Sequence, residues 1–148
     1  MFLNILFGFI IPWIFGLKLY DKDKKSLLLI GPFASVVAFT FDVIGQAKFW
    51  RTKPIYKTKL VSSIPVHLGV YPISAGYLTY FLRKRNLNSV LVIAIFSFIL
   101  TLFELVSVKL KRVRYQNGWN IYWTFVSYLI AGGLCYWYNK QLKKLQVF

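Results

Sequence analysis

The chain has 148 residues, 57% of them hydrophobic and 20% aromatic, with a mean hydropathy of +0.55, and a soluble domain of that length needs far more polar surface to cover its core. Its charge is lopsided, 19 Lys and Arg against 4 Asp and Glu for a net +15, yet no loop is long enough to present a groove-sized basic face, which argues against nucleic acid as a partner. With one Cys no disulfide can form within the chain, and with one His a zinc site built on His ligands is not expected.

Five apolar stretches of about twenty residues, each closed by Lys and Arg, predict an all-α integral membrane bundle of five transmembrane helices in a single domain over residues 1–148. The first, Phe2 to Leu17, has no Lys or Arg before it and no small-residue cleavage site after it, so it is expected as a retained helix and not as a signal peptide. DKDKK follows. The second, Ser26 to Gln46, sets Gly31, Ser35, Ala38, Asp42 and Gly45 on one helical face. Beyond AKFWRTKPIYKTKL, the third stretch, Val61 to Phe81, repeats the pattern with Ser63, His67, Tyr71, Ser74 and Tyr77, and Pro65 and Pro72 predict a kink beside His67. The fourth, Val90 to Val108, carries Ser97, Thr101 and Glu104, and the fifth, Trp119 to Tyr138, carries Asn120, Thr124, Ser127, Ala131 and Cys135. None of the five alternates as a barrel strand does. Small and polar residues on one face let helices approach and hydrogen-bond, so these stripes are expected to face one another.

Ionisable side chains at membrane depth are expensive and normally point into a bundle with a partner. At 1.5 Å per residue, Asp42, His67 and Glu104 each lie roughly 6–9 Å inside a span boundary, all on the side of the second and fourth loops. Asn120 joins them at the start of the fifth span, which predicts a one-sided polar cluster with Asn120 near Glu104. Arg51, Lys53, Arg112 and Arg114 roof it. Two readings of that roof stand side by side: structural ion pairs that neutralise the two acids, or a pocket for an anionic headgroup, an ion or a proton. Trp50, Tyr115, Trp119 and Trp123 are expected as anchors at the headgroup level.

Charge totals leave orientation open, with Lys48, Arg51, Lys53, Lys57, Lys59, Lys109, Lys111, Arg112 and Arg114 on one side and as balanced a set on the other. The first helix, bare of positive charge before it and followed by four Lys, leans toward an N-terminus outside and a C-terminus inside.

Trp50, Arg51 and Pro54 in the second loop, Glu104 in the fourth span, Tyr115, and the Gly118-Trp119-Asn120 that leads to Trp123 form a constellation that resembles an uncharacterised family of small multi-pass membrane proteins of spore-forming Gram-positive bacteria. The resemblance implies a bacterial cell membrane and the same order of spans, and it implies no activity. The Gly-Trp-Asn also has a reading of its own: a turn at Gly118, an interfacial Trp119, and Asn120 satisfying free amides of the next helix. No catalytic motif, cofactor motif or phosphate-binding Gly-rich loop is present in the sequence. The sequence therefore predicts a non-enzymatic membrane component that binds lipid headgroups, most readily anionic ones, or a membrane partner protein. A small ion- or proton-coupled transporter using Asp42, His67 and Glu104 is the alternative, and a lipid-modifying enzyme a further one.

Overall fold

The structure is a computed structural model that describes residues 1–85 and 87–148. It is 79% helical. Phe2–Lys48 is helical throughout except at Asp23, whose extended backbone (φ −156°, ψ 72°) breaks the run in two. We call residues 2–22 α1 and residues 24–48 α2; α1 includes a π-helical turn at Leu6–Ile10. The third apolar run divides into α3 (Ile64–Leu68) and α4 (Val70–Lys84), with Gly69 between them. α5 is Ser89–Lys109 and α6 is Ile121–Lys144. Each of the last two is capped by an Asn: Asn88 Oδ1 accepts from the amides of Val90 and Leu91, and Asn120 Oδ1 from those of Tyr122 and Trp123.

Two stretches are long and apolar enough to cross a membrane, Phe2–Lys48 and Ser89–Lys109. Only 17% of the most apolar window of α5 is buried inside the protein, whereas the core helix of a soluble domain would be mostly covered. Its outward residues, Val90, Phe98, Phe103 and Val106 among them, are large and exposed.

α1 and α2 run antiparallel, and α3 with α4 lies across both. Along α1, Gly8 meets Val66, Gly16 meets Ile73, and Leu19 reaches Gly76; along α2, Leu27 reaches Gly76 and Gly31 meets Pro72. Small residues at these crossings let the backbones come close, as the polar and small stripe of α2 anticipates. The break at Gly69 has a steric reason as well, because a Cβ there would run into the backbone of Gly8 and Phe9. α5 and α6 form a second antiparallel pair, with Ile93 against Gly132 near one end and Glu104 bonded to Tyr128 near the other. α6 is seated on α2 and α4 by Ile30, Ala34, Ala75, Cys135 and Leu142, and by Phe33 stacked on Tyr138 at 4.1 Å between ring centres.

The second and fourth loops pair with each other. β1 (Trp50–Thr52) and β2 (Val113–Tyr115) form an antiparallel ribbon in which Trp50 faces Tyr115, Arg51 faces Arg114 and Thr52 faces Val113. Backbone bonds from Lys53 to Arg112 (2.8 Å) and from Gln116 to Phe49 (2.7 Å) extend it at both ends. The ribbon lies over the end of the bundle where α2 and α5 finish and α3 and α6 begin.

Crowding at Gly69 is testable. Gly69→Val overpacks the contact with α1 and should destabilise the protein by about 1–3 kcal/mol, read as a lower unfolding temperature in mild detergent. Gly133→Val, where nothing lies within 4 Å of the added carbon, should leave it unchanged.

Candidate functional site

Two carboxyl groups lie under the ribbon, Asp42 buried and Glu104 half-buried, and each takes several donors. Asp42, on α2, accepts from Trp50 Nε1 (2.8 Å), Gln46 Nε2 (2.7 Å), His67 Nε2 (2.9 Å) and Ser63 Oγ. Ser63 in turn accepts from Gln46 at 3.0 Å. Glu104, on α5, accepts from Tyr128 Oη (2.6 Å), Tyr115 Oη (2.8 Å) and Thr124 Oγ1 (3.2 Å). Trp119 Nε1 donates to Thr124 at 2.9 Å and completes that side. A carboxyl group out of water is tolerable only when its lone pairs are met in this way.

The two groups of bonds approach each other through aromatic rings. The Tyr128 hydroxyl hydrogen is engaged with Glu104, so Tyr71 is the donor to Tyr128 Oη at 3.3 Å. The Tyr71 ring stacks on the His67 imidazole, 5.5 Å between centres and 24° between planes. That last step is a stacking contact, and His67 Nδ1 has no hydrogen-bond partner among the described residues. Asp42, His67 and Glu104 therefore share one end of the bundle, as their spacing predicts, but hydrogen bonds do not run unbroken from one acid to the other.

Three expectations are corrected. Asn120 is exposed and its side-chain oxygen is taken by the first turn of α6, so it does not join Glu104; Thr124, one turn further on, does. The four cations do not neutralise the acids: among the described residues the ion pairs are His67 with Asp42 and Arg83 with Asp23. Trp50, Tyr115 and Trp119 are not free headgroup anchors, because each turns its polar atom inward to Asp42, Glu104 or Thr124. Trp123 is exposed, with Trp119 6.4 Å away between ring centres. Burial and the neighbouring Glu104 push the Tyr115 phenol above its ordinary value, which keeps it a donor.

The ribbon sorts its residues by the two-residue period of a strand. Trp50, Thr52, Val113 and Tyr115 face the bundle; Arg51 and Arg114, directly opposite each other, face out and are exposed. At the next bonded pair Lys53 is exposed as well, whereas Arg112 is half-buried against α1. Like charges directly across a strand pair destabilise it, so this pairing is held together by what lies beneath. Trp50 packs over Gly45, where any side chain would collide with the indole. At the open end Asn4 of α1 donates to the Lys53 carbonyl (2.9 Å) and accepts from Arg112 Nη2 (2.8 Å).

Chemically the site offers little to a reaction. His67 lies on the Asp42 carboxyl and Ser63 on the same carboxyl, so the base does not sit on the hydroxyl as a nucleophile would require. No group of three His, Cys, Asp or Glu among the described residues could hold a metal ion. Asn4, Gln46 and Tyr128 were not singled out by the sequence; Tyr71 was, as a member of the third span's polar stripe. No protein-family model, curated protein or solved structure matches this chain.

If the acids serve to hold the ribbon, removing one should loosen it. A double-mutant cycle of Asp42→Asn with Trp50→Phe should give a coupling of about 1.5–3 kcal/mol in unfolding measurements, and Asp42→Ala alone should be more damaging because it strands the ring nitrogens of both Trp50 and His67. A coupling near zero would show that the indole bond contributes nothing.

Proposed function

We propose that this protein is a non-enzymatic, multi-pass membrane protein whose ribbon binds the headgroups of anionic lipids. In this reading its helical runs form a five-span bundle in the bacterial cell membrane. The N-terminus, and with it the ribbon, lies on the outer face.

The observation that carries the reading is the exposed set of Arg51, Lys53 and Arg114, with Arg112 half-buried beside them on Asn4, none of which meets a carboxylate within the described residues. Two guanidinium groups facing each other across a strand pair suit phosphate oxygens, which Arg recognises through a planar fork of donors. The acids that a relay or an enzyme would use have all their donors from within the fold, and the path between them ends in a ring stack. Large apolar side chains exposed along α1, α5 and α6 suit a lipid surround. The resemblance in the Trp50 to Pro54 and Glu104 to Trp123 segments belongs to the same proposal, and those segments hold the ribbon and the residues beneath it.

The test is lipid retention. Protein purified in mild detergent should carry anionic lipid in native mass spectrometry. Arg51→Ala with Arg114→Ala should weaken binding by about 2 kcal/mol, roughly thirtyfold. Lys143→Ala, at the other end of the bundle, should not. Equal retention by all three proteins would overturn the proposal.

A further inference from the structure

The chain that leaves β1 turns back beside it at Lys53 to Thr58 before the 3₁₀ turn Lys59–Ser62, and the fold leaves a small pocket there. It is lined by Gln46, Arg51, Thr52, Ile55, Tyr56, Lys57 and Lys59. Gln46 is 3% exposed and rigidly held, its amide nitrogen donating to both Asp42 and Ser63. The space is about 70 Å³, room for a few waters and too small for a sugar ring.

Three cations line this one cavity and no carboxylate does. Like charges that share a cavity repel one another, and a compact anion of more than one charge relieves that best. A phosphomonoester carries between one and two negative charges at neutral pH and three acceptor oxygens, whereas a phosphodiester carries one charge. Arg51 can meet two oxygens with its fork, Lys57 and Lys59 supply point charges, and the Tyr56 hydroxyl supplies a further donor.

We propose that Arg51, Tyr56, Lys57 and Lys59, which line this pocket, bind a phosphomonoester group there, as the selective part of the headgroup surface. The lipid source of that group rests on the reading of the ribbon given above; the phosphate chemistry does not. Arg51 serves both, standing on the ribbon's outward face and lining the pocket.

The experiment titrates the full chain in neutral detergent with short-chain phosphatidic acid, short-chain phosphatidylglycerol or inorganic phosphate, with bound ligand read by native mass spectrometry. Phosphatidic acid should bind about tenfold more tightly than phosphatidylglycerol. Lys57→Ala with Lys59→Ala should abolish that preference and leave phosphatidylglycerol binding within about twofold. Arg114→Ala, outside the pocket, should weaken both lipids and keep their ratio. Inorganic phosphate should compete with phosphatidic acid. Equal binding of the two lipids, with both weakened by Arg114→Ala, overturns the pocket and leaves the ribbon reading standing. Binding of inorganic phosphate alone, lost in the Lys57, Lys59 variant, supports the pocket as a free-phosphate site and overturns the lipid reading. Binding of none of the three overturns both.

Discussion

A carboxyl group buried among helices needs donors, and helices cannot supply them from their own backbone, whose amides are already paired. Asp42 and Glu104 take theirs from side chains, and in each case one of those side chains comes from the ribbon: Trp50 from β1, Tyr115 from β2. Because a strand alternates, fixing Trp50 and Tyr115 inward sends Arg51 and Arg114 outward without any further instruction. The charged exterior of the ribbon is thus a geometric consequence of the acids beneath it. The same link accounts for the tight fit of Trp50 over Gly45, since the indole can reach Asp42 only by lying against the backbone of α2.

How much of this was legible in the sequence differs from element to element. The apolar runs and their Lys and Arg ends announced the helices, and the spacing of Asp42, His67 and Glu104 gave their common level, because helical rise converts sequence distance directly into depth. The ribbon was in view and went unread. WRTK over Trp50 to Lys53 and RVRY over Arg112 to Tyr115 both alternate between bulky or β-branched residues and cations, the period-two signature of a half-buried strand. Each run is too short to stand alone, and its partner lies some sixty residues away, so as separate loops they looked merely charged. Asn120 misled for the opposite reason: its level was right, but a residue just ahead of a helix is claimed by the amides of the first turn before any neighbour can have it.

Asp23 was hidden more completely. Within DKDKK it looks like one member of a solvated charge run, yet it is 9% exposed and accepts from Arg83 and Ser26. Arg83 lies 3.8 Å over the ring of Phe148, so guanidinium, carboxyl and aromatic ring form a second polar knot at the end opposite the ribbon. α3 and α4 are therefore tied down at both extremities, through His67 to Asp42 and through Arg83 to Asp23, while the backbone between them is interrupted at Gly69. Both ties run to the α1 and α2 pair, which makes that pair the frame on which the rest is assembled.

The reversal at Asp23 gives that frame a particular property. A connection of one residue has no slack, so neither arm of the hairpin can slide far along its axis past the other. A cut inside this bend would leave the two arms joined only through the contacts each makes with α3, α4 and the ribbon.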